Sequence, residues 1–172
     1  MANTYVAIAT TTVGSGGVSS ISFSSIPQTY TDLVVKVSAQ TTRVSGNNMD
    51  YFKIKFNASA TGYTDRSLYG NGSSAQSEAN NATSYGFDFV VNGTSGSQFS
   101  NFEMYIPNYT SSNYKSWSAD GVAEENAVAA IQAFNANLWS NTSAITSISF
   151  ESANAANFKQ YSTATLYGIK NS

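Results

Sequence analysis

The feature that most constrains this chain is a two-residue alternation of apolar and polar side chains that restarts after each short turn. Leu33, Val35, Val37 and Ala39 alternate with Val34, Lys36, Ser38 and Gln40. Successive side chains of an extended strand point to opposite faces, so this run predicts a strand with one buried and one wet face. Phe52, Ile54 and Phe56 against Tyr51, Lys53 and Lys55 read the same way, as do Phe102, Met104 and Ile106 against Glu103 and Tyr105. Shorter examples are Phe87, Phe89 and Val91 around Asp88 and Val90, Ile148 and Phe150 around Ser149, and Leu166 between Thr165 and Tyr167. Weaker candidates cover residues 5–10, 18–24 and 114–119.

Turn chemistry separates these runs: GSGG at 14–17, SGNN at 45–48, and the pairs Asn71 with Gly72, Asn92 with Gly93 and Asp120 with Gly121. Such residues supply the positive φ angles that tight reversals need. The pattern predicts about nine or ten strands in an all-β, single-domain antiparallel β-sandwich over residues 1–172, most simply jelly-roll-like. One segment reads two ways. In NAVAAIQAFNANLW, residues 126–139, Val128, Ile131, Phe134 and Leu138 sit at helical spacing, while Gln132, Phe134, Ala136 and Leu138 fit a strand. The β surroundings tip the balance slightly toward strand. The tetrapeptide SISF occurs at 20–23 and at 147–150, which reads as two analogous strand edges rather than an internal repeat.

Composition decides which chemistries are open. The chain has no Cys and no His, which excludes thiolate nucleophiles, Ser-His pairs, disulfides and histidine-based zinc sites. Charged residues make up 10% of the chain against about a quarter in an average domain, and aromatics make up 13%. The eight basic residues are scattered rather than clustered and net charge is -2, so nucleic acid is not an expected partner. No apolar run approaches a membrane span, and the N-terminus lacks the basic and apolar regions of a secretory signal. A soluble protein made in the cytoplasm, without membrane insertion, is expected.

Without His, paired carboxylates are the remaining route to hydrolysis, and Glu124, Glu125, Asp120 and Glu103 form the nearest group. Neighbouring strand residues face opposite ways, so Glu124 and Glu125 cannot both address one substrate, and a solvated surface is the simpler reading. No acidic spacing suits a calcium loop, and no cofactor or metal is expected. Asn-x-Ser/Thr triplets at Asn57, Asn71, Asn81, Asn92, Asn108 and Asn141 follow from the Ser, Thr and Asn content and do not indicate glycosylation.

Two stretches stand out against this background. IPNYTSSNYKSW, residues 106–117, places Tyr109, Tyr114 and Trp117 around a polar loop. These read first as loop anchors at the core edge, next as a protein interface, and then as a glycan-binding surface. SIPQTYTDLVVKVSAQ, residues 25–40, sets Ile26 and Pro27 between two strand-like runs. Proline cannot donate to a sheet ladder, so the pair predicts a chain reversal anchored by a buried Ile26. Tyr30 would bury its ring and bond nearby backbone through its hydroxyl, in the manner of a tyrosine corner, and Asp32 would accept from turn N–H groups.

Four segments, SISFSSIPQTYTDLVVKVSAQ, NFEMYIPNYTSSNYKSW, LWSNTSAITSISF and QYSTATLYGIKNS, together resemble small virion structural proteins of tailed bacteriophages, particularly phages of cyanobacteria and other aquatic hosts. The resemblance runs over nearly the whole chain, and its distinctive parts are the Ile-Pro-x-x-Tyr-Thr-Asp-Leu and Leu-Tyr-Gly-Ile-Lys blocks. It implies a non-enzymatic protein on the particle exterior, either a capsid decoration (cement) protein or a fibre component that recognises host surface glycans. The implied partners are the major capsid protein or other virion proteins and further copies of the chain, in a homo-oligomer such as a trimer. Decoration is the preferred expectation, because no coiled coil, collagen-like run or β-helix repeat is present to build a shaft.

Overall fold

The computed structural model describes residues 4–44, 49–83, 86–91, 98–124 and 130–170, and for 82–83 and 86–91 the backbone alone. Twelve strands follow one another: β1 (Tyr5–Thr12), β2 (Ser20–Phe23), β3 (Asp32–Ala39), β4 (Met49–Phe56), β5 (Tyr63–Gly70), β6 (Ala75–Thr83), β7 (Gly86–Val91), β8 (Ser100–Ile106), β9 (Lys115–Glu124), β10 (Ala130–Trp139), β11 (Ile148–Ser152) and β12 (Thr163–Ile169). They form two antiparallel sheets. The larger has the order β1-β12-β3-β8-β9-β10-β5-β6 and the smaller β2-β11-β4-β7.

Setting aside β5, β6, β9 and β10 leaves two four-stranded sheets, β1-β12-β3-β8 and β2-β11-β4-β7. Renumbered one to eight along the chain, these run 1-8-3-6 and 2-7-4-5, the double Greek key of a jelly roll. The β5–β6 and β9–β10 hairpins are additions to that core. Both attach beyond β8 and lengthen one sheet only. The two SISF segments are hydrogen-bonded neighbours, with Ile148 opposite Phe23 and Phe150 opposite Ile21.

The alternation seen in sequence becomes the core. Leu33, Val35 and Val37 of β3, Phe52, Ile54 and Phe56 of β4, and Phe102, Met104 and Ile106 of β8 are buried together between the sheets. Phe52 sits at the centre, its ring centroid 4.8 Å from that of Phe102 and 5.4 Å from that of Phe158. A second aromatic group surrounds Phe56, with Trp117 at 4.8 Å, Trp139 at 5.6 Å and Tyr63 at 6.2 Å. Tyr63 accepts a hydrogen bond from the Phe56 N–H at 2.8 Å, and burial pushes its pKa up to about 12. The added strands are thereby tied into the core by large rings.

Two expectations need correction, and an open one is decided. There are more strands than nine or ten, because β5 and β6 carry no apolar alternation. The inward side of β5 is Tyr63, Asp65 and Ser67, all buried, with the Ser67 hydroxyl donating to Asn135 Oδ1 at 2.6 Å. Asp120 and Gly121 do not form a turn but lie within β9, opposite Phe134 and Ala133 on one side and Glu103 and Phe102 on the other. The described part of the ambiguous segment, β10, is a strand paired without a break to β5 and β9. Asn71 and Gly72 do make the β5–β6 turn, where Gly72 has φ 82° and Asn71 Oδ1 accepts from the N–H groups of Ser73 and Ser74. The SGNN segment and the Asn92–Gly93 pair lie outside the described residues.

At the end of the sandwich opposite Phe56, Asp50 is a buried carboxylate surrounded by donors. Its oxygens accept from Thr41 Oγ1 at 2.8 Å, Ser152 Oγ at 2.8 Å, Asn154 Nδ2 at 2.7 Å and the Tyr51 N–H at 2.8 Å. Buried charge is tolerated where hydrogen bonds replace the lost water. The cluster joins β4, β11 and the segment after β3 into one unit.

Candidate functional site

The corner predicted at Ile26 and Pro27 exists, but its hydrogen bonds are distributed differently. Ile26 is buried, and its N–H donates to the Thr146 carbonyl at 3.0 Å. Gln28 Nε2 ties the carbonyls of Ile26 and Ile145 together, at 2.8 and 3.0 Å. The tyrosine that donates into this reversal is Tyr109, whose hydroxyl bonds the Pro27 carbonyl. Tyr109 is fully buried, and its carbonyl accepts from the Ile145 N–H at 2.9 Å. Burial raises its pKa.

Tyr30 has another role. Its ring lies on Gly168 of β12, so close that a Cβ there would come within 2.3 Å of the ring. Lys170 Nζ sits 5.6 Å from the centre of the same ring, and the Thr31 N–H donates to the Ile169 carbonyl at 2.8 Å. Asp32 accepts from a turn N–H as expected, but that turn is the one after β8. Its oxygens receive the Asn108 N–H at 2.8 Å and the Tyr105 hydroxyl at 2.9 Å, and the latter bond raises the Tyr105 pKa. Asn108 has φ 49°, a conformation that Asn tolerates better than most residues and that this bond holds in place.

The aromatic loop does not form a common surface. Tyr109 and Trp117 are core residues, and Tyr114 alone is exposed, at 59%. The reason lies in the strand pattern. Lys115, Trp117 and Ala119 face inward on β9, so Trp117 meets Phe56 instead of solvent. Lys115 is itself buried, its ammonium capping the carbonyls of Ser111 and Asn113 at 2.7 and 2.5 Å, and desolvation lowers its pKa. The loop is fastened from beneath. Of the carboxylates, Glu103 pairs with Lys36 at 2.8 Å, Asp120 and Glu124 point outward from β9, and Glu125 lies outside the described residues. Among the described residues no group of three metal-binding side chains comes together.

Three exposed apolar side chains fall together on the outer face of the added strands. Phe134 of β10 is 53% exposed, Leu68 of β5 56% and Val122 of β9 39%. Register places Asp120, Phe134 and Leu68 side by side across three strands, with Ser118, Ala136 and Arg66 in the next row and Val122, Gln132 and Gly70 in the row on the other side. Small neighbours leave Phe134 standing between two open depressions of about 530 and 430 Å³. The outer face across β12, β3 and β8 carries the Lys36–Glu103 ion pair beside a row of Tyr167, Val34 and Tyr105. Sequence alone offered a sign of this patch in the outward alternation of β10, where Phe134 shares a face with Gln132 and Ala136. The same segment also suits a helix, in which Phe134 shares a face with Val128, Ile131 and Leu138.

No family model matches the chain, and no curated protein matches it.

Proposed function

We propose that this chain is a non-enzymatic virion structural protein, a capsid decoration or cement protein that stabilises a phage head from outside through protein–protein contacts. The observation that carries the reading is the apolar outer face of β9, β10 and β5. Large side chains left half exposed across three adjacent strands cost free energy in water, and burying them against a protein surface recovers it at about 25 cal/mol per Å². Strands β5, β9 and β10 send Tyr63, Trp117 and Trp139 into the core with their inward sides and create this face with their outward ones. The resemblance to phage virion proteins supplies the setting, and low charge limits the desolvation cost of close packing.

The mechanism is mechanical. Decoration bridges neighbouring shell subunits, and the contact area formed in the mature shell opposes expansion by packaged DNA. Many weak contacts held on one particle act with high effective concentration. A glycan-binding fibre tip ranks second, because Tyr109 and Trp117, on which that reading drew, are buried and Tyr114 stands alone. The test compares purified particles with and without the chain. Decoration expects hundreds of copies on the head and earlier DNA release on heating or chelation when they are missing. Unchanged resistance, or a few copies at the tail, overturns it.

A further inference from the structure

We infer that the outer face of β9, β10 and β5 seats the same face of a second copy of this chain, in a two-fold symmetric dimer whose axis runs along β10. This deepens the reading of that face as cohesive and does not depend on whether the assembly sits on a capsid.

The argument is the self-complementarity of the face. A two-fold axis along β10 stacks the two sheets face to face in the aligned arrangement common to β-sandwiches, and lays β9 of each copy over β5 of the other. Gln132, Phe134 and Ala136 then meet their own counterparts on the axis. Off the axis, large side chains fall on small ones in the rows of Gln132 and Ala136, while in the row of Phe134 Asp120 of one copy lies over Leu68 of the other. Val122 of one copy lies over Gly70 of the other, in the row of Gln132, and Arg66 lies over Ser118, in the row of Ala136. The two Phe134 rings meet across the axis, between the depressions that flank each of them.

Charge supports the same operator. Asp120 lies directly opposite Glu103 on the neighbouring strand, a like-charge placement that costs stability. Glu103 is compensated by Lys36, whereas Asp120 has no ion pair among the described residues. Two residues along the facing column, the operator places Arg66 of the second copy. In the single copy its guanidinium donates to the Asp65 carbonyl at 2.7 Å and, on β6, to the Asn80 carbonyl at 3.3 Å and Asn81 Oδ1 at 2.9 Å, and it turns from that edge toward Asp120 in the pair. Two symmetric Asp120–Arg66 pairs result. Area is sufficient as well. Five strands, β8 to β6 across the sheet, spaced about 4.8 Å apart and about seven residues long, cover roughly 24 by 24 Å. With side-chain relief this approaches the roughly 800 Å² per partner of a specific interface.

The test is sedimentation equilibrium of the purified full chain. The wild type is expected to dimerise, and Phe134→Glu to weaken the dimer about tenfold or more. Asp120→Arg and Arg66→Asp are each expected to weaken it, and the double reversal to restore it, which a contact with any other partner would not require. Thermal melts confirm folding; should Phe134→Glu not fold, Ala136→Glu on the same axis replaces it. A wild type that stays monomeric up to its solubility limit, an unchanged mass for the folded axis variant, or no rescue by the double reversal overturns the inference. A monomer that still loads onto particles refutes the dimer and leaves decoration standing; a dimer absent from particles does the reverse.

Discussion

Gly168 lies inside β12, faces the core and pairs with Leu33 and Val6 on the flanking strands. A glycine there gives away strand stability, roughly 0.5–1 kcal/mol relative to alanine, unless something needs the space. The ring of Tyr30 needs it. A Cβ on Gly168 would stand 2.3 Å from Tyr30 Cγ and 2.5 Å from both Cδ atoms, well over an ångström inside ordinary contact, and the obstacle is the root of a ring rather than a flexible tip. Gly168→Ala therefore must expel the ring from its seat. Half-burial of a tyrosine corresponds to roughly 100 Å², so about 2.5 kcal/mol is lost and about 0.5–1 kcal/mol of strand preference returned, a net destabilisation of about 2 kcal/mol. In a domain of this size that lowers Tm by about 4–8 °C. The decisive assay is a double-mutant cycle by urea or thermal unfolding. In a Tyr30→Ala background the obstacle is absent, so Gly168→Ala is expected to become neutral or stabilising. An equal loss in both backgrounds would refute the account and point to the backbone of β12 itself.

Other expectations follow from the same contacts. Tyr109→Phe removes the hydroxyl that satisfies the Pro27 carbonyl and is expected to cost about 1–3 kcal/mol in urea unfolding, whereas Tyr30→Phe, with its ring seat intact, stays within about 0.5 kcal/mol. Asp50→Ala strands the donors of Thr41, Ser152 and Asn154 and is expected to cost about 3 kcal/mol or more, with loss of hydrogen-exchange protection at the β4–β11 end. Asp65 is buried with Oδ1 unpaired; desolvation raises its pKa, against weaker opposition from the Asn80 amide. Its folded state binds the proton more tightly than the unfolded state, so this residue's contribution to stability falls as pH rises from the ordinary Asp range through the raised value. Asp65→Asn keeps an acceptor for Asn80, removes that slope, and is expected to be more stable than wild type at neutral pH and equal to it in acid.

The parts of the fold legible in the sequence are those where burial and hydrophobicity coincide. Leu33 to Ala39, Phe52 to Phe56 and Phe102 to Ile106 bury an apolar residue at every second position, so their strands and their inward sides followed from alternation, although Val34 on the other face of β3 is buried too. The pattern fails in β5, where the buried positions are Tyr63, Asp65 and Ser67, because polar partners on β10 and β6 replace apolar contact. It also fails at Gly121, where a turn-forming residue is held extended by pairing on both sides. The corner was legible as a reversal at Pro27 but not in its donor, since Tyr30 and Tyr109 are chemically alike and only the tertiary fold brings Tyr109 to the Pro27 carbonyl. The same limit applies to Trp117: an aromatic in a polar segment has no sequence mark that tells a core pillar from a binding platform.

The two blocks that make the sequence distinctive turn out to be one structural unit. Tyr30 of the first rests on Gly168 of the second, Lys170 lies against the same ring, and the Thr31 N–H bonds the Ile169 carbonyl. Their residue types are fixed by a mutual fit at one corner of the jelly roll. The exposed apolar face is built instead from the Ser-, Ala- and Asn-rich wording of β5, β9 and β10, which looks like filler beside them. Its outward positions are free of core constraint, since each strand's inward residues alone meet Phe56 and the rings around it. Substitutions at Phe134, Leu68, Val122, Asp120 and Arg66 can therefore change what the protein holds without changing what it folds into. On these strands the inward positions serve the core and the outward ones face solvent, so the two sides are separately adjustable.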